Sequence, residues 1–387
     1  MVVGLLPVAG SSFQENRTHT YLDLRTSIEM DSTTVCSPAD KRARDSQSHV
    51  GVKSSRNEGP RASAAALLHQ LYGPIAGPLQ EIESLFCREL QSSHGSLASV
   101  LSHGTQLGGK RLRPAMLLLS GAAVGPLTQD HVVLGTVIEM VHTATLVHDD
   151  VLDEAETRRH VPTVNHRWND HTSILLGDYL FAQSFRLAAT LPSTEACRMI
   201  GEAARRVCEG ELRQVLLRDA LDLDEETYLS MLGGKTGELC RVACQLGAKA
   251  SCGNDDVIEA LGNYGAAVGI AFQIADDFLD LWGNDDTVGK TLGTDIGQGK
   301  MTLPMIRFLQ TASPHVRREV IGILQGPVDG RLRKVLPLLN QSDAKAYTLA
   351  VAERFQQQAF AALDRLVPSE ARDSLTAIGR FAIDRRF

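Results

Sequence analysis

From about Ala62 onward, apolar residues recur at three- and four-residue spacing with little period-two alternation. The stretches "LRPAMLLLSGAAV", "DHVVLGTVIEMVHTATLVHDDVLDEA" and "SILLGDYLFAQSFRLAATL" each predict a helix. So do "TEACRMIGEAARRVCEGELRQVLLRDAL", "EETYLSMLGGKTGELCRVACQLGAKA" and "DDVIEALGNYGAAVGIAFQIADDFLDLW". An earlier stretch, "ASAAALLHQLYGPIAGPLQEIESLFCREL", predicts one or two helices broken at Gly73-Pro74. Pro192 followed by Ser193 or Thr194 marks a stop and a fresh N-cap, with Glu195 in the first turn. The Gly-rich "GNDDTVGKTLGTDIGQGK" interrupts the pattern, and helical texture then resumes up to Phe387. There is no convincing run of strands and no short tandem repeat. The expected class is all-α, a bundle of roughly ten or more helices forming one domain over residues 62–387. Residues 1–61 are polar and aperiodic apart from "MVVGLLPVAGSS", and are expected to be a disordered extension.

Composition narrows this picture. The 387 residues are 43% hydrophobic and 22% charged, which suits a soluble protein with a substantial core. A net charge of -7 and the lack of a basic stripe argue against a nucleic-acid partner. The seven cysteines include no C-x-x-C pair, so neither a zinc knuckle nor a disulfide framework is expected. Cys240 and Cys244 read as small hydrophobes, in a reducing compartment. No apolar run approaches the ~20 residues of a membrane span, so no transmembrane segment is expected. The start of the chain lacks the basic residues of a signal peptide. Asp23, Glu29, Asp31, Asp40 and Asp45 argue against a transit peptide. A cytoplasmic location is the expectation, with import through the extension left open.

The chemistry begins at Asp149, Asp150 and Asp153, a D-D-x-x-D motif ending a mostly apolar helix. Asp149 and Asp153 share a helix face, where like charges repel by a few tenths of a kcal/mol, roughly, and by more when buried. A single such motif is more often a solvated acidic face. Here it recurs as Asp276, Asp277 and Asp280, again in an apolar helix. Two such helices facing each other would gather the carboxylates around one cavity, an arrangement that needs cations. Oxygen ligands without thiolates favour a hard ion, and Mg²⁺ where phosphate is also bound. Basic residues sit beside both motifs: Lys110, Arg111 and Arg113 in "GGKRLRP", Arg158-Arg159, Lys235-Thr236 in "LGGKTGEL", then Lys290 and Lys300. Arginine forks and lysine point charges both suit phosphate oxygens. "GGKTG" is not a Walker A loop, because Leu229 stands where that motif needs glycine. His142 and His148 are six apart and do not share a face as a zinc pair would.

Taken in order, "GGKRLRP", "HDDVLDEAETRR", "GGKTGEL" and "FQIADDFLDLWGNDDTVGKTLGTDIGQGKMTLP" resemble the successive signatures of trans-isoprenyl diphosphate synthases, the polyprenyl synthetase family. The likeness runs from about Ala62 to the C-terminus and is strongest to long-chain members. It implies an isoprenoid-synthase helical bundle around a deep central cavity, with Mg²⁺ as cofactor and a homodimeric assembly. By this resemblance Asp149 and Asp153, supported by Asp150, hold Mg²⁺ ions that bridge to an allylic diphosphate. Asp276 holds a further Mg²⁺, in a site shaped by Asp277 and Asp280. Arg158, Lys235, Thr236, Gln273, Lys290 and Lys300 would bind the allylic diphosphate. Lys110, Arg113, His142 and Arg159 would bind isopentenyl diphosphate. The implied catalytic set is Asp149, Asp150, Asp153, Asp276, Asp277 and Lys235.

Product length would be set along the helix that carries Asp149. Thr145, Ala144, Val141, Ile138 and Val137 share its face, and Ala144 lies roughly 7–8 Å below Asp149. A small residue there, with no aromatic ring in the next two turns, resembles the long-chain synthases that make quinone side chains. Phe181 and Phe185, on another helix, are further candidates for the cavity floor. The alternatives weighed are a short-chain farnesyl or geranylgeranyl diphosphate synthase, a His-Asp metal phosphohydrolase suggested by "VHDD", and a non-catalytic partner subunit. Retention of all six aspartates disfavours the last.

Overall fold

A computed structural model describes residues 71–283 and 292–384. The proposed extension 1–61, residues 62–70 and Lys290 therefore lie outside the described residues. A 3-10 turn at Gly73–Ile75 leads into α1 (Ala76–Glu89), α2 (Gly95–Gln106), α3 (Leu112–Ala122) and α4 (Gln129–Leu152). After α4 come two short strands, β1 (Thr157–Arg158) and β2 (Val161–Pro162). Next are α5 (Val164–Arg167), α6 (Asp170–Ala188), α7 (Glu195–Leu216) and α8 (Glu225–Leu232). A π-helical turn, Gly233–Gly237, joins α8 to α9 (Glu238–Ala250). Then follow α10 (Asp255–Trp282), α11 (Thr294–Gly297), α12 (Leu303–Thr311) and α13 (Pro314–Gln325). α14 (Arg331–Asn340), α15 (Ala344–Leu363) and α16 (Glu370–Asp384) complete the bundle. The fold is all-α, as the periodicity predicts, with one addition and one interruption.

The addition is the antiparallel hairpin, which pairs Thr157 with Pro162 and Arg158 with Val161. Its two-residue turn is Arg159-His160, both with positive φ, 54° and 67°. A turn of this kind suits the twist of a tight hairpin, but asparagine or glycine are its usual occupants. That is why no strand is legible here. The interruption is the π turn, which divides what reads as one helix from Glu225 to Ala250.

Helix starts follow side-chain chemistry. Asn169, Asp224 and Asn254 accept backbone N–H bonds from Thr172, Thr227 and Val257 at 2.8, 2.7 and 2.9 Å. At α7 it is Ser193, not the N-cap Thr194, whose hydroxyl accepts a backbone bond, from Glu195 at 3.1 Å.

The packing is built around α4, α9 and α10. α4 packs on α6, α9 on α3, and α10 between α9 and α15. α10 is long and apolar enough to cross a membrane by composition, yet 56% of its apolar 18-residue window is buried among its neighbours. Its apolarity is that of a core helix. Gly247 of α9 meets α3 so closely that a Cβ would collide with the Leu117 carbonyl oxygen. The apolar side chains form two clusters. One lies around α1, α3, α4, α6 and α9, the other under α8, the end of α10 and α12 to α15.

Candidate active site

The end of α4 carries Asp149 and Asp150, and Asp153 caps it, its N–H donating to the Asp149 carbonyl at 2.8 Å. The three aspartates meet different partners. Asp149 lies 4.0 Å from the Lys235 ammonium, whose other partner is Glu211. Asp153 accepts a hydrogen bond from Lys300 at 3.0 Å, with Arg218 3.6 Å away. Asp150, one residue round the helix, is 1% exposed. It accepts from Arg158 Nε at 2.9 Å and pairs with Nη2 at 2.7 Å. Burial raises the pKa of Asp149, and the cation of Lys235 opposes this. Burial lowers that of Lys235, but Asp149 and Glu211 outweigh it and the net direction is up.

The second motif sits in the last turns of α10. Asp277 accepts from Tyr228 Oη at 2.5 Å and from Gln273 Nε2 at 2.9 Å. Burial, reinforced by the nearby Asp295 carboxylate, pushes its pKa up to about 8. Asp280 accepts the backbone N–H groups of Thr294 and Asp295, at the start of α11, at 3.1 and 3.2 Å. Asp276, which directly precedes Asp277 in sequence, is half-buried.

The π turn joins the two motifs. Its Lys235 reaches Asp149, while its Thr236 hydroxyl donates to Gln273 Oε1 at 3.2 Å, and Gln273 holds Asp277. The turn is wedged between α7 and α10. Glycines permit this: a Cβ on Gly210 of α7 would lie 2.8 Å from the Lys235 nitrogen, and one on Gly269 of α10 would lie 2.9 Å from the Gly237 Cα. A cleft opens here, lined by Gln214, Tyr228, Lys235, Gln273, Asp277 and Lys300 among others.

A second cationic group lies near the start of α3. Arg113 Nη1 donates to His142 Nε2 at 3.0 Å, so that nitrogen is an acceptor and the imidazole is neutral. Burial, then the charge of Arg113, drives the His142 pKa well below its ordinary value. Arg159 donates to the Leu107 carbonyl at 3.2 Å, and its guanidinium fills the space a Cβ on Gly109 would need. Its pKa is lowered by burial and by Arg158. The Lys110 ammonium lies 4.5 Å from the Phe381 ring centroid. Arg111, which the sequence groups with the phosphate-binding cations, is bound instead to Glu83 and Glu139.

The polyprenyl synthetase family model matches residues 94–336. The chain belongs to this family. It is 37% identical over 315 residues to the nonaprenyl diphosphate synthase of Mycobacterium tuberculosis, covering 80% of this chain and 93% of that one. It is 34% identical over 294 residues to a short chain isoprenyl diphosphate synthase of Methanothermobacter thermautotrophicus, covering 75% and 90%. A solved polyprenyl synthase from Caulobacter crescentus, complexed with calcium and isoprenyl diphosphate, superposes with a TM-score of 0.77 at 32% identity, over 83% of this chain and 98% of that one.

The donor set of this polyprenyl synthetase suits a hard divalent cation that is shared with a substrate. Among the described residues no three carboxylate, thiol or imidazole groups converge into a cage. Mg²⁺ needs none, because it binds through one or two carboxylates, retained waters and substrate phosphates. Asp149, Asp153 and Asp276 are the carboxylates that would hold it.

Several residues at the site escaped the sequence reading: Glu211, Arg218, Tyr228, Asp295 and Gln298. Glu211 had a signal. Ile200, Ala203, Ala204, Val207 and Gly210 mark the buried face of α7, and Glu211 with Gln214 continues it. Burial and Asp149 raise its pKa. Tyr228, Asp295 and Gln298 had none, because only the fold brings them to the aspartates.

Along α4, Val137, Ile138, Val141 and Ala144 are fully buried. Thr145 is half-buried and donates to the His142 carbonyl at 2.8 Å. Phe181 packs beside His148, their rings 6.1 Å apart, whereas Phe185 is 40% exposed.

Proposed function

We propose that this chain is a Mg²⁺-dependent prenyltransferase that condenses isopentenyl diphosphate with an allylic diphosphate, giving a long-chain all-trans-polyprenyl diphosphate. The observation that carries this reading is the π turn, which ties Asp149 to Asp277 through Lys235, Thr236 and Gln273. It sets lysines and carboxylates around one cleft, the arrangement a metal-bound diphosphate requires.

In the reaction the allylic C1–O bond breaks and its electron pair leaves with the diphosphate. Arg158, Lys235 and Lys300 face that developing charge as positioned cations, with Thr236 and Gln273 beside them. Lys290 belongs to the same proposed set. Mg²⁺ at Asp149, Asp153 and Asp276 would supply further neutralisation of the leaving group. Lys110, Arg113 and Arg159 would hold the second diphosphate, with neutral His142 fixing the Arg113 fork. The isopentenyl double bond then forms the new C–C bond, and a proton leaves its C2. The departing diphosphate is a sufficient base, so no dedicated protein base is needed.

The long-chain reading rests on Ala144, with Val141 and Thr145, on the helix face leading away from Asp149. The nonaprenyl relative supports it, and quinone side chains are the destination that suits such a product. The short-chain relative makes product length the decisive measurement. The purified chain incubated with farnesyl or geranylgeranyl diphosphate and isopentenyl diphosphate should give long products by chromatography, and Ala144→Phe should shorten them. A product that stops at geranylgeranyl diphosphate would refute the long-chain reading. No product at all would refute the prenyltransferase reading. The expected homodimer is checked by the mass of the same preparation in light scattering.

A further inference from the structure

The Glu83–Arg111–Glu139 cluster has no part in the chemistry above. Arg111 precedes α3 with a left-handed backbone, φ 49°, a strained conformation for a residue with a Cβ. Its Nη1 donates to Glu139 Oε1 at 2.6 Å and its Nη2 to Glu83 Oε2 at 2.9 Å, with Nε also on Glu83. The Phe86 ring lies under the guanidinium, 5.1 Å from Cζ. The side chains of Arg111 and Glu139 are only 10% and 3% exposed.

Glu139 and His142 are three residues apart on α4 and so share a face. Arg111 and Arg113 are thus fastened to one helix a turn apart, the first at Glu139 and the second at His142. Lys110 lies on the same loop, its carbonyl accepting from Tyr72 Oη at 2.9 Å. Arg159 reaches the loop from the hairpin through the Leu107 carbonyl, over the bare face of Gly109. A buried ion pair is weak evidence for stability, since apolar replacements of similar volume often serve as well. Fixing a geometry is the better explanation for this one.

The geometry points to Glu139 and Arg111, aided by Glu83, as positioning residues that hold the loop at 108–111 and the first turn of α3 so that Lys110, Arg113 and Arg159 form one cationic cup for isopentenyl diphosphate. This rests on the proposed function. Neither residue is catalytic, because each acts through the loop.

The test uses the full chain with Glu139→Gln, Arg111→Met, and the double variant Arg111→Met/Glu139→Leu, which removes both buried charges together and guards against a misfolded single variant. Two readouts are taken. In the free protein, amide exchange of residues 108–112 should accelerate while α10 is unchanged. In turnover, KM for isopentenyl diphosphate should rise about tenfold or more, with KM for farnesyl diphosphate within about twofold. The double variant should be no worse than the worse single one, because both act through one anchor. Equal rises in the two KM values, or a lowered melting temperature with both KM values unchanged, would overturn the proposal. Unchanged amide exchange would overturn the anchor itself. Faster exchange in a protein whose wild type never consumes isopentenyl diphosphate would sink the functional reading instead, and the cup with it.

Discussion

Single residues in this site differ in what they face. Asp149 and Asp153 look toward lysines, whereas Asp150 is buried against Arg158. Asp149→Ala or Asp276→Ala should cut turnover by about 10²-fold or more, the order seen when one stabiliser of transition-state charge is lost. Circular dichroism should show the helices retained. Near-normal incorporation of labelled isopentenyl diphosphate in either variant would remove that residue from the metal set. His142 gives a pH dependence. Its folded pKa lies well below the ordinary 6.5, so the folded protein leaves it neutral where the unfolded chain takes up a proton. Its contribution to stability is therefore present above about pH 6.5 and lost progressively as pH falls below that value. Urea unfolding at about pH 7.5 and 5.5 should show a larger loss in the wild type than in His142→Gln, which keeps an acceptor for Arg113. Equal losses would mean that His142 is not buried neutral. At this scale the sequence supplied the acids and bases but not their pairing. Glu83 and Glu139 each lie 28 positions from Arg111, and no local pattern ties them to it.

Among elements, the π turn matters most. It is held between α7 and α10 by glycines on both sides, so its position depends on the absence of side chains. Gly210→Ala would place a Cβ 2.8 Å from the Lys235 backbone nitrogen. The overpacking cost of about 1–3 kcal/mol should exceed the roughly 1 kcal/mol that alanine gains in a helix. A lowered urea midpoint together with reduced turnover is the expected result. A raised midpoint with full activity would show that the turn shifts freely. The helices themselves were legible because their apolar residues recur at the helical period, and α10 spans the predicted Asp255 to Trp282. The π turn was not legible, because "GGKTG" interrupts no periodicity strongly enough to reveal a change in hydrogen-bond register.

For the whole molecule, the cleft depends on parts distant in the chain. α4, α7, the π turn, the end of α10 and Lys300 each contribute a charged group, so metal and diphosphate together should stabilise the bundle. At ~100-fold excess over Kd, such binding contributes about 2.7 kcal/mol, which corresponds to about 5 °C in melting temperature. Inorganic diphosphate with Mg²⁺ should produce this rise, and either component alone should not. A chelator should abolish turnover reversibly. Turnover that persists in the chelator would contradict the metal requirement. The sequence by itself determined the all-α class, the two D-D-x-x-D motifs, the basic signatures and the small residue at Ala144, because helical period and residue chemistry are local properties. The tertiary structure alone decided that Arg111 pairs with Glu83 and Glu139, that Glu211 joins Lys235, that Tyr228 holds Asp277 and that Asp280 accepts the first N–H groups of α11. Those choices follow from where helices cross, and crossings depend on glycine contacts and buried surfaces far apart along the chain.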